Sequence, residues 1–405
     1  MNKLQLNMKF RLNIFISIML VCLGLCSCGK DEPQKASTET KRTILVYMIA
    51  NNSLGHSVNP TTLKQYDDDD LDEMLQAVTN NNIDNGRLIV YHVPPIKEGV
   101  PTLKEITSDG IVTLKTYSNT TLSTDPNQLE QVITDTYSLA PALDYGLILW
   151  SHADAWREHQ NAKTIQSSNT AKPLAFGEET TSDGTSYMKV TSLAKVLNKH
   201  NFSFIYFDCC HMASIEVVYE LKNATDYIIA STTELPADGM PYDLNVPCFF
   251  TDTPQLEKAC QNTFNSYNNQ TGVNRSCTIS LIKTSYLDDL ATISREIFSS
   301  KMPLPNNFKP QQFVYGTNCY SFDLEQYISA LSPNDETTQQ FKDVLDKVVI
   351  YKNATPYIWQ GSAMEIKINF HCGLGSHILQ TESDATLKGY NNHLWWQNVV
   401  KYKFQ

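Results

Sequence analysis

The sequence lacks the strings that mark several enzyme classes. It has no Gly-x-Ser-x-Gly, His-Glu-x-x-His, Gly-x-Gly-x-x-Gly or P-loop segment, so the serine esterase, zincin, dinucleotide and nucleotide readings have no motif to rest on. Its ten cysteines form no Cys-x-x-Cys, which excludes a zinc ribbon, and the chain of 405 residues is too long for a disulfide miniprotein. Basic charge is short. There are 32 Lys+Arg against 43 Asp+Glu, a net charge of −11 with no Lys/Arg cluster, so no nucleic-acid partner is expected. No internal repeat or low-complexity segment occurs. What is present is enough apolar material, 41% of residues, to bury a large core, which excludes a disordered chain. The length allows two or three domains or one large α/β unit.

The first 28 residues carry Lys3, Lys9 and Arg11 and no acid, followed by an apolar run over 12–25 that is too short to span a membrane comfortably. This is the make-up of an export signal. Its end, Leu25-Cys26-Ser27-Cys28, resembles a bacterial lipobox, in which the last Cys is lipidated and becomes the first mature residue. Cys28 is therefore the expected lipidation site, and acyl chains there would hold the protein on a membrane at about 0.8 kcal/mol per buried CH₂. An ordinary signal peptide cut near Cys28 is the alternative. Cleavage removes three cations and leaves a net charge of −14. Seven cysteines then lie beyond Cys28 in an oxidising compartment. That odd number leaves at least one unpaired if all disulfides are internal. Residues 29–41 are polar and read as a tether. Within them Lys30-Asp31-Glu32 resembles the export signal of surface-exposed lipoproteins in some Gram-negative groups, a plain solvated linker being the alternative. The expected location is the cell envelope, lipid-anchored in the outer membrane, with exposure at the surface if that signal is read.

Six short apolar runs rich in β-branched residues follow, at 43–49, 87–93, 145–150, 202–207, 227–231 and 276–282. Near-continuous apolar strands are what a parallel sheet covered on both faces demands. Between them, 70–78 has apolar residues at 71, 74, 75 and 78, a helical period, and 129–139, 190–197 and 213–221 behave similarly. Alternating β and α elements predict a doubly wound, mostly parallel α/β sheet with helices on both faces. Residues 42–300 are assigned to that domain, and 301–405, where the pattern weakens, to a smaller C-terminal appendage completing the fold. There 364–370 alternates as a strand. The polar stretch 156–188 reads as a long loop. The acidic run 67–70 sits at a helix start, where the dipole favours it; calcium binding is the alternative.

In open parallel sheets, ligands bind outside the carboxyl ends of the strands. After the third run comes Ser151-His152-Ala153-Asp154, and after the fourth Asp208-Cys209-Cys210-His211. A His and a Cys at neighbouring strand ends can form a nucleophile–base pair. Side chains alternate along a strand, so Asp208 and Cys210 share one side and Cys209 takes the other. Cys210 also precedes the helix expected from about Ala213, and a helix N-terminus or a nearby His⁺ lowers a thiol pKa. A buried structural Cys, a packed His, a vicinal disulfide and a Cys–His metal site using His211 remain as alternatives to that pair.

These residues carry a family resemblance. Leu149-Trp-Ser-His-Ala-Asp-Ala-Trp156 is similar to the clostripain-type pattern Leu-Trp-x-His-Gly-x-Gly-Trp. Residues 207–221 resemble the same family's Asp-Ala-Cys-Leu-Met-x-x-x-Glu-Val-Ala-Tyr-Glu-Leu, and 229–242 its Ala-Ser-x-Glu…Pro-x-x-Gly-x-x-Tyr block. The blocks occur in family order, within a resemblance spanning about 42–300. It implies a caspase–gingipain–legumain type of fold and cysteine endopeptidase activity on peptide or protein substrates. Carried over, His152 is the catalytic His and Cys210 the nucleophile, with backbone N–H groups of Ala153 and Cys210 as oxyanion donors. Two departures stand out: Ala153 replaces a Gly, and His211 replaces a Leu.

A carboxylate two residues before the nucleophile would pair with a cationic substrate side chain. The family similarly uses the position of Asp208 for Arg or Lys before the cut, and Asp238 is a second candidate wall residue. A structural hydrogen bond to loop backbone is the alternative for Asp208. Family members are often zymogens cut between the His and Cys strands, where Lys163 and Lys172 lie. The chemistry needs no metal or other cofactor, and a monomer is expected. The rival reading is a catalytically weak or inactive surface lipoprotein of the same fold that binds peptides or glycans.

Overall fold

A computed structural model describes residues 39–55, 65–81, 83, 85–157, 176–316, 319–361, 364–387 and 389–405. The leader, Cys28, Lys30 to Glu32, Lys163 and Lys172 lie outside the described residues.

The apolar runs become strands β1 (Arg42–Ile49), β2 (Gly86–Val93), β5 (Asp144–Trp150), β8 (Phe202–Asp208), β9 (Thr225–Ala230) and β10 (Thr278–Lys283). Short hairpins supply β3 (Thr102–Thr107) with β4 (Gly110–Thr116), and β6 (Phe176–Thr181) with β7 (Gly184–Met188). The C-terminal third adds β11 (Phe322–Asp323), β12 (Val349–Ala354), β13 (Tyr357–Gln360), β14 (Met364–Lys367) and β15 (Gly375–Ser376). Nine strands form the central sheet in the order β12-β10-β9-β8-β5-β1-β2-β3-β4. The five middle strands are mutually parallel, and both flanks are antiparallel. This is the mostly parallel α/β sheet that the apolar runs predict, in the caspase-like form that the family resemblance implies.

The sheet is covered on both faces because every second residue of a central strand serves a different core. On one side Leu45, Tyr47 and Ile49 pack with Leu147 and Leu149 against the helices Pro126–Leu139 and Val190–Leu197. On the other, Ile44, Val46 and Met48 pack with Ile148 and Trp150 against Tyr66–Asn80 and Leu256–Asn268. Each such fully buried side chain contributes about 1.5–3 kcal/mol. The expected helical stretches therefore fall on real helices, with Ile215–Glu220 the shortest.

The run 276–282, grouped with the parallel strands by its composition, is antiparallel as β10. The chain leaves β9 at the carboxyl rim and passes down and back through two helices, Tyr242–Phe249 and Leu256–Asn268. It so returns to the rim it left, where Thr278 Oγ1 lies 2.8 Å from Ser231 Oγ. Burial on both faces makes such a strand apolar whatever its direction. The stretch 156–188, read as a loop, contains the hairpin β6–β7, whose polar strands hide it from an apolar-run search. In the C-terminal region β12 joins the central sheet beside β10, and the strand expected at 364–370 is β14, paired with β13. Thr40–Gln405 form one compact unit. Among the described residues no helix is long and apolar enough to cross a membrane.

Candidate active site

Sheet register decides where the site forms. Trp150, the last residue of β5, is paired with Asp208, the last of β8. His152 and Cys210 each lie two residues beyond that pair. Adjacent strands run about 4.8 Å apart, so the two loops leave the sheet side by side. Both side chains line one cavity of about 340 Å³, together with Trp150, Asp208, Glu234 and Asp238. Trp359 and Val273 form an apolar part of the wall. Ala153 follows His152 just outside this lining; it faces Phe176 in an isolated bridge, where Gly177 N–H donates to the His152 carbonyl at 3.0 Å.

The His loop is held from three sides. Ser151 Oγ donates to the Ile49 carbonyl at 3.0 Å and accepts from Glu178 N–H at 3.0 Å. His152 Nε2 lies 2.7 Å from Ser53 Oγ. Further along, Ala155 has φ +58°, a left-handed conformation that costs a non-glycine residue about 1–2 kcal/mol. The second Gly of the clostripain pattern stands at this place, a signal that comparing only the residue after the His passes over. Trp156 then inserts its indole among Tyr390, His377 and His393, at centroid distances of 4.6, 5.1 and 5.8 Å. Arg157 pairs with Asp154 at 3.2 Å and stacks over Tyr320 at 4.2 Å.

The Cys loop turns sharply. Cys209 is 5% exposed and sits in the core, and burial drives its thiol pKa well up. Cys210 is half-buried at the cavity, where Leu235 N–H points to its sulfur at 3.4 Å. His211 is left-handed, φ +62°. It is fixed there by its N–H donating to the Thr233 carbonyl at 3.0 Å and by Nδ1, 3.2 Å from the Thr232 carbonyl. The helix expected from Ala213 begins only at Ile215 and is six residues long. Cys210 therefore sits in a turn and not against a helix N-terminus, because the left-handed residue bends the chain before helical bonding can start. Ser214 and Glu216 then bond each other at 2.6 Å, and Glu216 is buried under Tyr390 OH and His377 N–H, which donate to it at 2.7 and 2.9 Å.

Asp208 forms the floor beside Cys210. It is 5% exposed and accepts from Met240 N–H and Tyr242 OH, each at 3.0 Å. Burial raises its pKa to about 6, against the pull of those two donors. Gly239, at φ +66°, brings the wall loop over this carboxylate; a Cβ there would lie 2.9 Å from Asp208 Oδ2. The loop also carries Asp238 to the cavity mouth. Asp70 stands behind, bonded to Trp150 Nε1–H at 2.6 Å, with a pKa raised by burial and by the charge of Asp208. Glu73 accepts Tyr242 N–H at 2.9 Å. A smaller recess lined by Asp69, Asp70, Asp72 and Glu73 shares Tyr66 and Asp238 with the main cavity.

The acidic run 67–70 does more than sit on a dipole. Asp67 is bonded to His92 Nε2 at 2.8 Å, and Asp70 to Trp150. Among the described residues no group of three or more His, Cys, Asp or Glu side chains is disposed to hold a metal ion.

A half-buried thiol and an imidazole thus line one cavity at the rim of a caspase-like fold, beside a buried carboxylate. The sequence pattern of the clostripain family, Peptidase C11, matches residues 46–398. The chain belongs to the clostripain family of cysteine peptidases. It is similar to an inactive zymogen C11 protease from Parabacteroides distasonis, with 26% identity and a TM-score of 0.74 over 89% of this chain and 98% of that one. A secreted C11 cysteine protease from Bacteroides thetaiotaomicron, solved with an irreversible peptide inhibitor, is 27% identical with a TM-score of 0.74 over 88% and 98%. A structure of "iotapain", a secreted C11 cysteine protease from the same organism, is 25% identical with a TM-score of 0.75 over 89% and 99%. No curated protein matches the chain.

Proposed function

We propose that this protein is a cysteine endopeptidase that cleaves after Arg or Lys through a Cys210–His152 dyad. The observation that carries the reading is the pairing of Trp150 with Asp208, which sets His152 and Cys210 at equal offsets on adjacent strands and against one cavity. The Cys210 thiolate attacks the scissile carbonyl carbon, and the backbone N–H groups of Cys210 and Ala153 take the oxyanion. His152 gives its proton to the leaving amine nitrogen as the C–N bond breaks, leaving a thioester. It then takes a proton from water as the hydroxide attacks, and Cys210 departs as thiolate. Asp208 and Asp238 hold the cationic side chain before the cut, Arg in a fork or Lys as a point charge.

The substrates in this reading are peptides or proteins, and neither a metal nor another cofactor takes part. The protein acts as a monomer in the envelope, anchored through acyl chains on Cys28. The test uses Arg-, Lys- and Asp-terminated fluorogenic peptides with and without a thiol alkylator. Cleavage after Arg or Lys, abolished by the alkylator and by Cys210→Ala or His152→Ala, is expected. Unchanged cleavage by Cys210→Ala, or a preference for Asp, overturns the reading. Labelling with a palmitate analogue, lost in Cys28→Ala, is the corresponding check on the anchor.

A further inference from the structure

Ser53 belongs to no motif and lies 99 residues before His152, yet its hydroxyl oxygen is 2.7 Å from His152 Nε2. We propose that Ser53 is a positioning residue for the peptidase reaction, its hydroxyl engaging Nε2 so that the opposite nitrogen, Nδ1, serves Cys210. The inference rests on the dyad reading given above.

A hydrogen bond held at one imidazole nitrogen fixes both tautomer and ring angle, which leaves the other nitrogen to exchange a proton with the cleft. In the imidazolium form Nε2–H donates to Ser53 Oγ, and Nδ1–H is left for the cavity that Cys210 also lines. When Nδ1 has given its proton to the leaving amine, the neutral ring keeps Nε2–H on Ser53. Nδ1 is then the basic nitrogen that takes a proton from water in the second half-reaction. One bond at Nε2 thus serves both steps without a change of tautomer.

The place of Ser53 is built by its neighbours. Asn52, 1% exposed, donates from Nδ2 to the Ile49 and Glu178 carbonyls, each at 2.8 Å, and to Ser151 Oγ at 3.3 Å. Its Oδ1 accepts Leu54 N–H at 2.8 Å, closing a turn around Ser53. This is the self-turning chemistry that Asn favours. The residue before Ser53 is therefore bonded to the residue before His152, and β1 and β5, which end in these two segments, are paired along their length. The amide of Asn52 sets the backbone, and the hydroxyl of Ser53 meets the ring.

The test compares Ser53→Ala and Ser53→Thr with the unaltered protein on an Arg reporter. A hydroxyl that aims a ring acts on turnover and not on substrate capture. We expect Ser53→Ala to keep its melting temperature and its KM within about twofold and to lose about ten- to a hundredfold in kcat. Ser53→Thr should recover most of kcat, because it returns a hydroxyl. A kcat for Ser53→Ala within about twofold of the unaltered protein, a loss confined to KM, or a Ser53→Thr protein as slow as Ser53→Ala overturns the proposal. Absence of Cys210-dependent cleavage in the unaltered protein would remove the dyad reading instead.

Discussion

Replacing Asp208 by Asn tests the floor of the cavity at little structural cost. Asn Oδ1 can still accept Met240 N–H, and its Nδ2 can donate to the Tyr242 oxygen, so both 3.0 Å contacts have replacements. What is lost is a buried negative charge. Truncating one member of a buried, hydrogen-bonded charge pair costs about 2–5 kcal/mol. Asp238 remains on the wall, so the lower end of that range applies: about 2–3 kcal/mol, or roughly 30- to 150-fold in kcat/KM for Arg reporters. Reporters with a neutral residue before the cut should change little. Acid should imitate the substitution. With a pKa of about 6, the ionised fraction of Asp208 falls from above nine-tenths near pH 7.5 to about one-tenth near pH 5. The Arg-to-neutral ratio of kcat/KM should therefore drop about tenfold over that window in the unaltered protein and stay flat in Asp208→Asn. The fold itself is not what gives way. A carboxyl whose pKa rises on folding favours the native state below its ordinary range, and that contribution is lost as pH rises through about 6. Acidification through this window thus discharges the pocket without costing stability at this group. An Asp208→Asn protein that keeps its Arg preference within about threefold, or a ratio that ignores pH, refutes the assignment.

Two further substitutions probe how the loops are supported. Gly146 faces Phe204 across β5 and β8, and a Cβ there would lie 2.5 Å from the ring. Gly146→Ala should cost about 1–3 kcal/mol, read as a lower urea midpoint; an unchanged midpoint would show that the ring moves freely. Tyr390→Phe removes one of the donors to buried Glu216 and should cost about 1–3 kcal/mol in the same measurement, while a neutral result would mean that another donor takes its place.

Much of this was legible in the chain. The runs at 43–49, 145–150 and 202–207 read as central strands, since near-continuous apolar runs of six or seven residues are what burial on both faces demands. Their order put His152 and Cys210 at one rim. The alternation at 208–210 separated Cys209 from Cys210 and set Asp208 beneath the cleft. The direction of β10 was not legible, because it depends on how many helices intervene before the chain returns to the rim. The β3–β4 and β6–β7 hairpins escaped because half-exposed strands carry polar residues. The helix after Cys210 was expected too early, since nothing in the composition of His211 announces a left-handed residue. Asn52 carried a turn signal after β1, but nothing pointed Ser53 at His152. Their roles arise from the end of β1 lying beside the end of β5, a matter of register that spacing along one chain cannot express.

The aromatic box around Trp156 has a consequence for how the protein is made. Its walls, Tyr390 and His393, are synthesised at least 180 residues after Cys210. A nascent chain carries its imidazole and sulfhydryl long before it owns the surfaces that brace their loops. A nascent chain that stops short of Tyr390 lacks the walls that hold Trp156, so the bracing of the cleft waits on chain made well after both candidate residues.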